Sequence, residues 1–428
     1  MLEQIEKLIN KCKNYGVNYA EASVQNTILT KFAINKKTFI DEIETNLVFF
    51  RCIYSSNVYN IVFTCNEKNL DILTIFEYLL RYPSSHNEKK IIPEYTFNII
   101  EKTAFEPLKL NDIKEWVHKE IIDLEDNISY KINSLDLILQ RSKTYYVNSL
   151  GSIGQYSCET SYGFGAIDMK LTLDTPDYFF FNLNKPEPFK KLFEFEMLNK
   201  ISDYTNYKQI VVPIPNLNGK IKLTRNFLSK LMPLLSSFFM IDSISQGTSF
   251  FSNNQNVVLD SKVNIIDSPL QKDGYTYFPF DIEGSKAVEK YLFKNGRLHS
   301  FLSDRQHGSI EQAEHGNLNW VLNTHHYKIM PSNTMLIIDN NSHNDLATSL
   351  SSNVDITLID FAHGSGLNPS SATLFGQALG LTSDGVMQKF LLNLNVFDFE
   401  LAQEEMHSID RLNRNFRYCD ASWSEFDY

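Results

Sequence analysis

The sequence predicts an α+β protein: N-terminal helices packed on a mostly antiparallel sheet, followed by a β-rich C-terminal half of barrel or sandwich type. Three observations lead there. Apolar residues recur at helical spacing in a few early segments. Between them run long stretches rich in β-branched and aromatic residues, broken by polar turn signals. The second half is a succession of short strand-like runs divided by Gly, Asn and Pro, as sandwiches and barrels require.

The elements follow in order. MLEQIEKLINKCKNYG places Leu2, Ile5, Leu8 and Ile9 on one helical face. Residues 18–35 and 45–65 read as strands with a turn inside the second stretch. A helix fits 67–82, stopped by Pro83, and residues 84–110 are irregular. A second amphipathic helix fits 111–128, with Asn111 as its N-cap, and strand patterns dominate from Ser134 to Asn182. The character changes between FNLNKPEPFKK and VVPIPNLNGK, which divides the chain into an N-terminal domain, 1–215, and a C-terminal domain, 216–428. One helix over 224–240, interrupted by Pro233, opens the second domain. Short strands are then expected at 255–261, 262–267, 286–293, 297–303, 334–339, 355–360 and 388–397.

Composition narrows the function classes. Net charge is −11 and no Lys/Arg-rich block occurs, which disfavours nucleic acid and anionic membranes as partners. No apolar run approaches the ~20 residues of a membrane span. The N-terminus mixes acids with bases, unlike a secretory signal. The five cysteines (12, 52, 65, 158 and 419) are scattered, which points to reduced thiols and away from a disulfide framework or a thiolate zinc site. These features together predict a cytoplasmic protein.

The most informative stretch is YTYFPFDIEGSKAVEKYLFKNGRLHSFLSD, 275–304. In extended backbone Asp281 and Glu283 project on one face, and Gly284 permits the positive φ of a turn. Asn295-Gly296 is a hairpin signature. The simplest role for the acids is to pair with Lys286 or Arg297 or to accept turn N–H groups; contact with a peptide, and metal or proton-transfer chemistry, are the sharper alternatives. Six of the ten histidines lie between His299 and His343 (299, 307, 315, 325, 326 and 343). Clustering invites a metal, but no histidine is followed by Glu, so H-E-x-x-H is absent, and glycines after His307 and His315 mark loops. GSIG (151–154), GFG (163–165) and HGSG (363–366) read as turns, since none completes a nucleotide-binding or nucleophile-elbow motif. Cys158 has no basic neighbour in sequence and reads as a structural thiol.

Several of these segments resemble the TldD/PmbA family, whose PmbA type is also called TldE. NYAEASVQ resembles its early Ala-Glu strand, and YYVNSLGSIGQYSCETSYGFG its Asn-Ser-x-Gly segment at Asn148, Ser149 and Gly151. GTSFFSNNQNVVLDSKVNIIDSP and PFDIEGSKAVEKYLFKNGRLHSFLSD are similar to the PmbA pattern, followed by Gly316-Asn317 in EHGNLN. HGSGLNPSSATLFGQALG resembles the Gly-x-Asn segment at Asn368, with Pro369, Ser370 and Ser371 where Thr-Gly-Asp is usual. The resemblance implies a two-subunit peptidase. Its TldD type holds zinc on a helical H-E-x-x-x-H; its PmbA type lacks that motif and is non-catalytic. The corresponding segment here, RNFLSKLMPLLSSFF, has no histidine, and none occurs between His118 and His299.

The resemblance therefore implies a chain with no catalytic residue and no cofactor of its own. It would pair with a zinc-bearing TldD-like subunit and act on unfolded or modified peptides, for example in leader-peptide removal. Phe280, Asp281, Glu283, Gly284, Asn317 and Asn368 are the candidates for lining a peptide channel or shaping its turns. A homodimeric peptide-binding module is the alternative, and an autonomous metalloenzyme built on His299, His307, His315 or His325 is a more distant one.

Overall fold

A computed structural model describes residues 2–35, 37–64, 92–93, 95–101, 130–169, 177–183, 207–214, 220–271, 276–307, 312–320, 327–338, 354–361 and 365–397. The helices read over 67–82 and 111–128 lie outside the described residues.

The N-terminal part is a helix on a sheet. Helix α1 (Leu2–Asn14) buries Ile5, Leu8, Ile9 and Cys12, the apolar stripe that the spacing predicts. The strands are β1 (Tyr19–Asn35), β2 (Lys37–Tyr54), β3 (Asn57–Thr64), β4 (Asn98–Ile100), β5 (Tyr130–Asn148), β6 (Ile153–Met169) and β7 (Asp177–Leu183). They form one sheet in the order β3-β2-β1-β5-β6-β4, with β7 also on β6, and only the short β4–β6 pair is parallel.

Strand alternation gives β1 and β2 two different faces. Ala20, Ala22, Val24, Val48, Phe50 and Cys52 pack with α1. Glu21 and Arg51 point the other way, while Leu47 and Phe49 join the core of the C-terminal half. β1 and β2 are thus buried on both faces over residues 19–24 and 47–53, and charged residues sit on the inner face there.

The C-terminal part follows: β8 (Tyr207–Pro213), β9 (Lys220–Leu223), α2 (Arg225–Ser236), α3 (Ile241–Ser245), β10 (Val263–Asp267), β11 (Lys290–Lys294), β12 (Arg297–Leu298), β13 (Phe301–Ser303), β14 (Ala313–His315), β15 (Leu318–Trp320), β16 (Tyr327–Ile329), β17 (Thr334–Ile338), β18 (Val354–Phe361), β19 (Gly366–Asn368), β20 (Thr373–Thr382) and β21 (Met387–Asn395). One sheet runs β8-β21-β20-β18-β9, with β19 on β20, and a second runs β12-β11-β10-β17. No described sheet closes into a barrel. Between them α2 contributes Phe227, Leu228, Leu231, Met232 and Leu235 to the largest core. Thr224 caps α2, accepting from the Phe227 N–H. The expected helix over 224–240 ends early: it tightens into a 3-10 turn at Ser237–Phe239, where Ser236 and Ser237 hydroxyls donate to the carbonyls of Pro233 and Leu234.

Other sequence expectations shift for local reasons. Residues 255–261 form no strand beyond an isolated bridge from Val258 to Arg297, because Asp260 folds back to accept the Lys262 N–H at 2.8 Å. Residues 286–289 precede β11, since the Ala287 N–H is taken by the Pro279 carbonyl. The hairpin at Asn295 and Gly296 forms as expected, with φ of 51° and 72°. Strand β20 is not among the expected strands; Gly376 and Gly380 interrupt its pattern of strand-forming residues. No described helix is long and apolar enough to cross a membrane.

Candidate functional site

The acid turn forms where the two halves meet. Phe280 bridges to Lys286, the Asp281 N–H donates to the Ser285 carbonyl, and the Gly284 N–H donates to the Asp281 carbonyl. Gly284 has φ +71°, and a Cβ there would stand 2.2 Å from the Tyr146 ring, so no side chain fits. Asp281 is the brace of the turn. One carboxylate oxygen accepts the Glu283 and Ser285 N–H groups at 3.0 and 2.9 Å, and the other accepts from Leu318 at 3.2 Å, tying the turn to β15. Burial, then the charge of Glu283, pushes the Asp281 carboxyl up to about 8.

Glu283 faces a different environment. It accepts from the Arg51 guanidinium on β2 and from the Arg305 N–H at 2.9 Å. Arg305 in turn reaches the Glu283 carbonyl and the Glu21 carboxylate on β1. Arg51 Nε lies 3.1 Å from Glu21, while Tyr19 and Tyr146 donate their hydroxyls to Glu21 at 2.7 and 2.8 Å. All of these side chains are buried. Burial works against the charge on both arginines, but Glu283 and Glu21 outweigh it for Arg51, and Glu21 first of all for Arg305. Burial and then Glu21 keep the Tyr19 and Tyr146 phenols protonated.

The expectation for Glu283 needs correcting: its partners are Arg51 and Arg305, not Lys286 or Arg297, which are exposed. Desolvating four charges is costly, so they sit together only because each cation meets both acids. The expectation for Asp281, a carboxylate that accepts turn N–H groups, matches the geometry.

Asn317 lies beside this turn in a second buried cluster. Its amide donates to Asp267 at 3.0 Å and to the Met330 carbonyl at 3.2 Å. Asp267 also accepts from the Ser332 N–H and hydroxyl at 2.8 and 2.7 Å, yet burial still raises its carboxyl above the usual range. The Lys290 ammonium is buried here with no hydrogen-bond partner among the described residues; burial lowers its pKa, opposed by Asp267, Asp281 and Glu314. Asn368 stands apart, exposed on β19, where it accepts from the Ser370 N–H and hydroxyl at 3.0 and 2.8 Å. Phe280, Asp281, Glu283, Gly284 and Asn317 therefore come together in the interior, and Asn368 does not join them.

Phe280 sits on Gly154, where a Cβ would come within 2.5 Å of its ring. It belongs to a small aromatic cluster with Tyr146, Tyr156, Phe278 and Ala287, covered by Phe97 and Ile99. Asn148 shapes the adjoining β5–β6 turn, accepting from the Leu150 and Ser152 N–H groups, and Ser149 accepts from Ala20. The Asn-Ser-x-Gly segment thus anchors β5 to β1 next to the acid turn.

The histidines scatter. His299 and His315 are exposed, and His325, His326 and His343 lie outside the described residues. His307 contacts Asp304 through Nδ1 at 2.7 Å and donates its N–H to the same oxygen at 2.9 Å. That hydrogen bond raises the His307 pKa against burial. Burial pushes Asp304 up, but His307 outweighs it and holds Asp304 below the usual range. Among the described residues no group of three or more His, Cys, Asp or Glu is placed to hold a metal. Cys12 and Cys52 are free and buried, with thiols pushed up by burial to about 11 and about 12. Cys158, on β6, is half-buried.

Sequence reasoning missed Glu21, Arg51 and Arg305. Two of them left a signal: each sits at an alternating position of a strand otherwise composed for burial, in YAEASV and FFRCIY. Arg305 lies in a loop and left none.

Residues 219–399 match the model of the PmbA/TldA metallopeptidase C-terminal domain. No curated protein matches the sequence. The fold is similar to the crystal structure of TldE from Thermococcus kodakarensis, with TM-score 0.69 and 14% identity over 92% of this chain and 91% of that one. It is also similar to two proteins assigned as candidate modulators of DNA gyrase. The one from Thermotoga maritima has TM-score 0.66 and 18% identity over 93% of both chains. The one from Bacteroides thetaiotaomicron has TM-score 0.65 and 13% identity over 92% and 91%.

Proposed function

We propose that this chain, whose residues 219–399 match the PmbA/TldA metallopeptidase C-terminal domain, is a PmbA/TldE-like subunit of the TldD/PmbA family that works beside a zinc-bearing TldD-like chain in peptide cleavage. One observation carries the reading. The segment that the sequence resemblance aligns with the zinc helix is α2, and residues 225–239 contain no His, Cys, Asp or Glu. Phe227, Leu231 and Met232 on that helix are packed into the core. The donor set does not fit zinc, so no catalytic step is assigned to this segment.

In this reading zinc belongs to the partner subunit, which supplies the hydrolytic water. This chain supplies the shape of the chamber, set by the acid turn and its charges, and handles unfolded or modified peptides such as leader peptides in the cytoplasm. Metal analysis of the purified chain tests the assignment: the expected content is well below one zinc per chain, and one tightly held zinc per chain rejects it.

A further inference from the structure

Residues Tyr95–Glu101 lie across the edge of β6 as an extended strap. The Ile153 N–H donates to the Phe97 carbonyl at 3.0 Å and the Glu101 N–H to the Gln155 carbonyl at 2.9 Å, with Asn98, Ile99 and Ile100 in register with Ile153, Gly154 and Gln155. Alternate side chains face inward. The Tyr95 hydroxyl accepts the Lys286 N–H at 2.6 Å. Phe97 stacks on Tyr146 at 5.6 Å between centroids and meets Phe280 at 5.3 Å. Ile99 packs on the same floor, and Glu101 accepts the Tyr277 hydroxyl at 2.7 Å. Thr96, Asn98 and Ile100 face out and are exposed.

This is how proteins hold an extended peptide: main-chain hydrogen bonds to a sheet edge supply affinity, and pockets for alternate side chains supply selectivity. Two features separate the strap from an ordinary structural strand. Its ladder is only three residues long and parallel, the less stable pairing. Phe97 and Ile99 enter neither main core, only the aromatic cluster at the acid turn, and Tyr95 is exposed apart from its hydroxyl contact. Removing the strap would leave both large cores closed and would uncover a groove floored by Tyr146, Tyr156 and Phe280.

We propose that this groove is a receptor for an extended peptide running parallel to β6, with an aromatic residue, an aliphatic residue two positions on and an acid two further, and that Tyr95–Glu101 occupies it in cis as a built-in competitor. The inference rests on the peptide-handling reading above for the nature of the ligand. It is tested on this chain alone, whereas that reading is tested by metal content and by the partner, so either can fail without the other.

The probe is a fluorescein-labelled peptide Tyr-Thr-Phe-Asn-Ile-Ile-Glu, titrated into the full-length chain and into a Phe97→Ser/Ile99→Ser variant. Freeing the groove raises the fraction of competent molecules, so the variant should bind at least about tenfold more tightly than wild type, and a probe with Ser for Phe should bind neither. A variant with wild-type circular dichroism that takes up no probe overturns the proposal. If the variant does not fold, hydrogen exchange on the wild-type chain decides. The Ile153 and Glu101 amides should exchange at least about tenfold faster than those in the β1–β5 ladder, and equal protection overturns the proposal.

Discussion

Glu283 on the acid turn and Arg51 on β2 form a fully buried ion pair across 232 residues of sequence. The pair joins the inner face of the N-terminal sheet to the loop that opens toward β11. Glu21 and Arg305 complete a four-charge set at the same seam.

Breaking this set from one side leaves a buried charge unanswered. Arg51→Met should lower stability by ~3–5 kcal/mol, as loss of one partner of a buried pair does. Adding Glu283→Gln to it should cost much less than a second increment of that size, because the stranded carboxylate is then gone. Chemical denaturation of the two single variants and the double variant checks this; strict additivity would show that the residues do not act as one network.

Gly284→Ala tests the turn itself. The new methyl meets the Tyr146 ring, and the φ of +71° is unfavourable for alanine by ~1–2 kcal/mol before any clash. A loss above that figure is expected in thermal or denaturant unfolding, and a neutral substitution would show that the turn does not press on Tyr146.

The His307–Asp304 contact carries a pH signature. His307 has a raised pKa in the fold, so its contribution is fully present below the unfolded value and is lost as pH rises through the folded one. Asp304 has a lowered pKa, so its contribution is present above the unfolded value and is lost as pH falls through the folded one. Their joint contribution therefore peaks in the mildly acidic range. His307→Gln should lower the melting temperature near pH 6 and have a smaller effect near pH 9; an equal effect at both would contradict the pairing.

Much of this was legible in the sequence where the determinants are local. Richness in β-branched and aromatic residues placed β1, the second half of β2 and β10, helical spacing placed α1, and Asn295-Gly296 placed its hairpin. Acid-x-acid-Gly marked the turn, because Asp281 closes it with its own backbone neighbours. The partners of Glu283 were not legible: Arg51 and Arg305 reach it only through the docking of one half on the other, which no local pattern encodes. The strands β14, β15 and β16 escaped for the same reason, since strands of three residues are stabilised by tertiary packing rather than by propensity.

The most direct test of the subunit assignment is a peptide-digestion assay of this chain alone, of a zinc-bearing TldD-like chain from the same organism alone, and of the two together. This chain alone should cleave nothing, and chelator-sensitive cleavage by the mixture should exceed that of the zinc-bearing chain alone. Chelator-sensitive hydrolysis by this chain, purified free of any partner, would overturn the subunit assignment.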